Sequence, residues 1–386
     1  MTRSSPGVEV RRLAVTALVR IAEHGAYANL VLPQMLERSG FDGRDRALAT
    51  DLVYGTLRMQ RACDHLVDRF VMRELDPEVR AALRVGAYQL AFAEVPTHAA
   101  VSTTVGAVGG KARGFVNAIL RRVAEAPVEF PDDATRLSYP DWIVDRLTAD
   151  LGPAATLGAL EAMNRRPEVT TRPDGYIQDL ASQWVAELVG ARSGERVADL
   201  CAAPGGKATA MAHTGAQVVA VDLQATRAGL VQANAVRTGV TLDEVAADAV
   251  VPPFPAASFD RVLVDAPCSG LGVLRRRPDA RWRLDPDAVD RLAALQRRIL
   301  DAAVPLVRPG GLLVYSVCTL TGGETTAIDD HLADQHPELE VLEIPGDPWI
   351  PHGRGALLLP QAADTDGMMI LRLRRPDRPE ETPDVR

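Results

Sequence analysis

Arg196-Val-Ala-Asp-Leu-Cys-Ala-Ala-Pro-Gly-Gly-Lys207 decides the fold. The apolar run at 196–200 has strand length, ends in an acid and a glycine pair, and gives way to a helical period over 207–213. A glycine pair between strand and helix lets the backbone pass close to a ligand. A phosphate-binding Walker loop would need Gly at 201 and Ser or Thr at 208, where this chain has Cys201 and Ala208. The fingerprint G-x-G-x-x-G is absent as well. The plain alternative is a tight strand-to-helix turn.

Outward from this stretch, strand-like runs recur at 217–223, 244–247, 259–266, 312–317 and 367–372, with helical stretches at 225–238, 286–306 and 324–335. Strands alternating with helices imply a mostly parallel sheet covered on both faces. Upstream, residues 8–125 show only helical periods. Leu13, Ala17, Leu18, Ile21 and Ala22 form one apolar stripe, and Leu30, Leu32, Met35 and Leu36 another. The domains expected are an all-helical one over 1–128, a helical connector over 129–174, an α/β domain over 175–376 and a disordered tail over 377–386.

Two thiols stand where an open α/β sheet does its chemistry, at the carboxyl ends of strands. Arg261-Val-Leu-Val-Asp-Ala-Pro-Cys268 and Gly311-Leu-Leu-Val-Tyr-Ser-Val-Cys318 each end in cysteine. One such cysteine alone is more often a buried small hydrophobe. A pair, one beside Asp265, points to covalent catalysis through sulfur. Asp199, Asp222 and Asp248 close three successive strands. A single Asp there is usually a helix cap. Three in register read as ligand contacts, Asp222 for the hydroxyls of a ribose and Asp248 for an adenine amino group.

The 386 residues carry a net charge of −8, which argues against a globally basic nucleic-acid binder but leaves room for a local basic groove. Arg275, Arg276, Arg277, Arg281 and Arg283 face one acid, Asp279, just after Cys268. As an isolated run this is a solvated loop as readily as a phosphate site. Its place beside the thiol favours phosphate, and Lys111, Arg113, Arg121 and Arg122 extend the track on the helical domain. Only four cysteines occur, with no C-x-x-C pair, so neither a metal site nor a disulfide framework is expected. A reducing cytoplasm is the expected setting. No apolar run approaches the roughly 20 residues of a membrane span.

Together, Asp199-Leu-Cys-Ala-Ala-Pro-Gly-Gly-Lys207, Asp265-Ala-Pro-Cys-Ser-Gly-Leu-Gly272, Arg281-Trp-Arg283 and Tyr315-Ser-Val-Cys-Thr-Leu320 resemble the bacterial Sun/Fmu-type ribosomal RNA cytosine-C5 methyltransferases. Gly175-Tyr-Ile-Gln-Asp-Leu-Ala-Ser182 resembles the segment leading into their catalytic domain, and the amino-terminal helices, with Phe115-Val-Asn-Ala-Ile-Leu-Arg-Arg122, resemble a NusB-like RNA-binding domain. The resemblance implies a Rossmann-like, S-adenosylmethionine-dependent fold of seven strands, the last antiparallel. It implies that Cys201, Ala202, Ala203, Pro204, Gly205, Gly206 and Lys207 hold the methionine portion of the cofactor. Asp222 then holds the ribose and Asp248 the adenine side. Asp265 borders both cofactor and target base. Cys318 is the nucleophile and Cys268 helps release the product. The implied reaction is methyl transfer to C5 of a cytosine in RNA, with 16S ribosomal RNA the expected substrate. Transfer RNA or another RNA is the alternative, and a non-catalytic RNA-binding or antitermination protein is the rival class. Two departures stand out. Residues 165–173 run almost directly into Gly175, so the small α/β lobe usual at this place is expected to be missing. Asp366-Gly-Met-Met-Ile370 replaces the usual aromatic pair, which is expected to alter packing near the target base.

Overall fold

The computed structural model describes residues 5–377. The expected tail lies, from 378 onward, outside the described residues. The chain forms two compact units, one of Met1–Asp145 with Leu274–Leu284, the other of Arg146–Val273 with Asp285–Arg386.

The first unit is helical. Pro6–His24, Gly43–Arg58, Pro77–Ala91, Thr97–Ala107 and Gly110–Glu125 supply most of its packing. Their apolar stripes meet in one core that includes Val10, Ala14, Leu18, Leu52, Leu83, Val101 and Leu120. Burial of such stripes is what holds helices of this length in place. Asp42 caps the helix Gly43–Arg58 by accepting the Asp45 N–H at 2.8 Å, and Asp132 caps Asp133–Leu137 by accepting that of Thr135 at 2.6 Å.

Leu274–Leu284 belongs to this helical unit, and it changes the reading of the arginine run. Arg275 and Arg281 are 1 % and 0 % exposed, so neither is available to a phosphate. Arg281 donates from Nη1 to the carbonyls of Arg58 and Ser138, each at 3.1 Å, and lies over the Tyr139 ring at 3.8 Å. Burial pulls its pKa down to about 10. A planar guanidinium carries five donors and a stacking face, which suits it to this interior role. Trp282 donates to the Leu57 carbonyl at 2.7 Å, and Asp279 accepts from Arg283 at 2.9 Å. The Arg281-Trp-Arg283 motif is therefore an anchor within the helical unit. Of the five arginines, Arg277 is the one exposed, with Arg276 and Arg283 half-buried.

In the second unit the strands are β1 (Arg196–Asp199), β2 (Gln217–Asp222), β3 (Asp243–Ala246), β4 (Phe259–Asp265), β5 (Val307–Val317), β6 (Glu340–Val341), β7 (Ile350–His352), β8 (Gly355–Leu358) and β9 (Met368–Arg374). They form one sheet in the order β3-β2-β1-β4-β5-β9-β8-β7, with β6 paired to β9. The first five are parallel, and β9 runs antiparallel to β5. The expected parallel core and antiparallel closing strand are present, but the sheet has nine strands and not seven. The additional ones are short: β6 has two residues, and β7 has three including Pro351. Side chains alternate between two cores. Val218, Ala220, Leu312, Val314, Met368 and Ile370 pack with the helices Leu180–Val189, Gly206–Ala212 and Ala225–Thr238. Between Asn164 and Leu180 only a bridge from Thr171 to Ile177 occurs, so no α/β lobe stands there.

Candidate active site

The strand order makes β4 and β5 neighbours, and β1 the neighbour of β4. Their carboxyl ends bring together residues separated by up to about 120 positions along the chain, as crossover connections in parallel sheets do.

The turn after β1 is held by backbone bonds, Ala202 N–H to the Val221 carbonyl at 2.8 Å and Gly205 N–H to that of Ala202 at 2.7 Å. Gly205 has φ 106°, a left-handed conformation open to glycine, and a Cβ there would stand 3.1 Å from Val231 Cα. Arg172 braces the turn from outside, donating to Thr209 Oγ1 at 3.0 Å and Gln178 Oε1 at 3.1 Å while paired with Asp174. Burial works against the Asp174 charge, but the Arg172 and Tyr176 hydrogen bonds outweigh it and hold its pKa down to about 2.

The carboxylates at the strand ends differ sharply. Asp199 is 1 % exposed and its Oδ1 has no hydrogen-bond partner. Burial, and then the Asp265 charge, push its pKa up to about 7, with Lys207 opposing. Asp222 is buried, and its Oδ1 accepts the Gln224 N–H at 3.1 Å. Asp248 is exposed and accepts the Val250 N–H at 2.9 Å. Asp265 accepts from Lys207 Nζ at 2.6 Å. Burial pulls the Lys207 pKa down, but the Asp265 charge and hydrogen bond overcome it, so the net shift is upward. Lys207, expected among the cofactor contacts, is thus tied to the carboxylate expected beside the base.

The two thiols meet. Cys268 Sγ lies 3.3 Å from Cys318 Sγ, and both residues are partly exposed. The hydrogen bond to Cys318, burial and the nearby Glu324 charge all push the Cys268 thiol well up. Cys201 is pushed up too, by burial and then by the Asp199 and Asp265 charges, so it is a neutral thiol.

A buried polar cluster underlies this pair. Glu324, 0 % exposed, accepts the Ser269 N–H at 2.8 Å, the Ser269 hydroxyl at 2.5 Å, the Thr321 hydroxyl at 3.0 Å and Gln296 Nε2 at 3.1 Å. Gln296 also donates to the Pro267 carbonyl at 2.9 Å, and Tyr315 donates to Gln296 Oε1 at 3.0 Å. Glu324 therefore fixes the turn on both sides of Cys268. The Cys318 carbonyl accepts from Gly272 N–H at 3.0 Å, and the Gly272 carbonyl accepts from Gly367 N–H at 2.8 Å. A Cβ on Gly272 would lie 2.3 Å from the Gly367 oxygen, so the backbones touch only because neither residue has a side chain. None of Glu324, Gln296, Ser269 and Tyr315 was expected as a site residue. The one sequence hint is an acid in the otherwise uncharged stretch 319–326.

Met368 and Met369 are both buried in the sheet's cores and present no face to a stacked base. Among the described residues, no group of three or more His, Cys, Asp or Glu is placed to hold a metal ion.

Comparison with known proteins identifies the family. The family described as 16S rRNA methyltransferase RsmB/F matches residues 186–374, and the NusB family matches residues 8–125. Ribosomal RNA small subunit methyltransferase B of Thermus thermophilus is 36 % identical over 397 residues, covering 95 % of this chain and 97 % of that one. A putative methyltransferase of Mycobacterium tuberculosis is 35 % identical over 453 residues, covering 97 % and 98 %. That alignment is longer than the 386 residues present, so this chain lacks segments its relative has. The crystal structure of PH0851 has the same fold, with a TM-score of 0.78 at 22 % identity over 97 % of this chain and all of that one. S-adenosylmethionine is the methyl donor of such enzymes. The orphaned Asp199 oxygen, the glycine turn and the buried Asp222 suit a cationic nucleoside. The chain is an S-adenosylmethionine-dependent methyltransferase that belongs to the RsmB/F family of 16S rRNA methyltransferases and carries a NusB-family region at its amino-terminal end.

Proposed function

We propose that this chain methylates C5 of a cytosine in 16S ribosomal RNA through a transient bond between Cys318 Sγ and C6 of the base. The observation that carries the reading is the pair of thiols 3.3 Å apart, beside the Lys207–Asp265 ion pair. A small-molecule methyl acceptor leaves the NusB-family region without a use.

C5 of cytosine is a poor nucleophile. Addition of the Cys318 thiolate at C6 moves the C5–C6 π electrons onto C5 and the ring, and C5 then takes the methyl group. S-adenosylmethionine, when bound, supplies that methyl as an electrophile. The motif Tyr315-Ser-Val-Cys318 marks Cys318 as the sulfur that attacks, while the hydrogen bond to Cys318 and burial push the neighbouring Cys268 thiol well up. Asp265, held by Lys207, accepts from the amino group of the base, and the Lys207 cation beside it offsets the negative charge that addition places on the ring. After transfer, the C5 proton leaves to a water that Cys268 orients. The C5–H electrons restore the double bond, and the C6–S electrons return to Cys318. With its thiol pushed well up, Cys268 is not the base itself, and it lies 3.3 Å from the departing sulfur.

The base must be unstacked for both carbons to be reached, so a single-stranded or partly assembled ribosomal RNA is the substrate. Exposed Lys111, Arg113, Arg121 and Arg122 on the helix Gly110–Glu125, with Arg277, supply phosphate contacts. Cytoplasmic reduction keeps the thiols free. Bisulfite sequencing of cellular RNA with and without the gene tests the reading. One 16S cytosine that loses protection on deletion is expected. An unchanged 16S map, or a lost site in transfer RNA, would move the substrate elsewhere.

A further inference from the structure

A second charged crevice lies in the catalytic unit, at the sheet edge opposite the thiols. It has a volume of about 170 Å³, against the roughly 30 Å³ share of one water, so a phosphate group and its solvent fit. Its walls are the amino-terminal ends of β4 and β5, the residues before β1 and the end of β9. Arg192, Arg261, Arg308, Arg372 and Arg374 line it, with Glu195 and Asp260.

Two of these arginines are already neutralised. Arg261 forms a two-pronged pair with Glu195 at 2.6 and 2.9 Å, and Arg308 pairs with Asp260. The other three, Arg192, Arg372 and Arg374, have no ion pair among the described residues. Arg372 Nε is buried and has no hydrogen-bond partner, while its Nη1 reaches only the Glu343 carbonyl at 3.3 Å. Burial and the neighbouring Arg261 charge disfavour the Arg372 cation, with Glu343 opposing. Asp377 beside Gly310 is the other acid nearby. A cation held against another cation, with a buried donor unmet, is a site built for an anion. In a chain of net charge −8 such a cluster is not a by-product of composition.

We propose that this crevice holds a backbone phosphate of the RNA substrate, as a second anchor of the catalytic unit. From Leu312 at the crevice to Cys318 at the thiols is about 20 Å along the strand direction at ~3.3 Å per residue. An RNA of a few nucleotides cannot occupy both places, and a long one can. The inference rests on RNA as the substrate but not on the cysteine chemistry.

The test is binding of the full chain to fluorescein-labelled poly(C) and to labelled tricytidine, across salt concentrations. Arg192→Glu with Arg374→Glu is compared with Arg298→Glu, an exposed helix position away from the crevice, and with wild type. The crevice variant is expected to lose roughly tenfold in poly(C) affinity beyond the control and to lower the salt slope by about 1.4, for two single-stranded phosphate contacts. Tricytidine and S-adenosylmethionine affinities are expected to stay unchanged. Poly(C) affinity equal to the control overturns the proposal, as does an equal loss for tricytidine. Inorganic phosphate raising the wild-type melting temperature while poly(C) binding ignores the substitutions also overturns it, in favour of a free anion. Binding is read without methylation, so failure here is distinct from failure of the methyl-transfer reading.

Discussion

Replacing Glu324 with alanine removes the acceptor for four donors at once, and the structure says which of them are stranded. The Ser269 hydroxyl keeps Thr319 Oγ1 at 2.8 Å, and Gln296 Nε2 keeps the Pro267 carbonyl at 2.9 Å. The Ser269 N–H has no second acceptor, and the Thr321 hydroxyl has only Thr319 Oγ1 at 3.5 Å. Two buried groups left unmet cost about 1–3 kcal/mol each, so Glu324→Ala should destabilise the catalytic unit by roughly 3 kcal/mol or more. Glu324→Gln keeps one carbonyl oxygen for the Ser269 N–H, and the two hydroxyls can turn to accept from the new amide. Its cost should stay below about 1.5 kcal/mol, since a buried charge is also removed. Guanidinium denaturation followed by circular dichroism measures both. Methyl transfer should fall in the alanine variant with S-adenosylmethionine affinity retained, because the turn around Cys268 loosens while the cofactor turn does not. An alanine cost below about 1 kcal/mol, or a glutamine cost equal to it, would refute the role given to Glu324.

Burial and charge set the outcome at three further positions. Asp199 has a folded pKa of about 7, raised from 3.8, so it binds its proton more tightly folded than unfolded. Its contribution to stability is fully present below the unfolded value, declines as pH rises, and is gone above the folded one. A cationic ligand favours the ionised form, so S-adenosylmethionine binding near pH 6.5 should release a proton, read by calorimetry in buffers of different ionisation enthalpy. Asp199→Asn should abolish that release, and release that persists would place the proton elsewhere. Arg281→Met should lower the stability of the helical unit by roughly 2–4 kcal/mol, since two buried carbonyls lose their donor, and leave the salt slope of RNA binding unchanged. Arg277→Ala should do the reverse, with a slope change of about 0.7 and no loss of stability.

Much of this site was legible in the chain because sheet strands announce themselves locally. Apolar runs ending in Asp199, Asp222, Cys268 and Cys318 are visible without any partner. What periodicity does not contain is adjacency. That β4 and β5 lie side by side, and that Lys207 meets Asp265 across 58 positions, depends on strand order. The same limit explains the error over Arg275 and Arg281. Local charge density describes a run, while burial is decided by Arg58, Ser138 and Tyr139, more than a hundred residues away. The hairpin of β7 and β8 escaped because Ile350–His352 is too short, and too marked by Pro351, to show alternation. Glu324 escaped because an acid in a polar loop normally faces water.

The central claim is that Cys318 bonds to the target base and that Cys268 serves the release step. Incubating Cys268→Ala and Cys318→Ala with ribosomal RNA and S-adenosylmethionine, then running a denaturing gel and mapping any cross-link by mass spectrometry, tests it directly. Cys268→Ala is expected to accumulate a protein–RNA adduct joined through Cys318, and Cys318→Ala to form none. Equal adduct in both variants, or a bond mapped to another residue, would contradict the account.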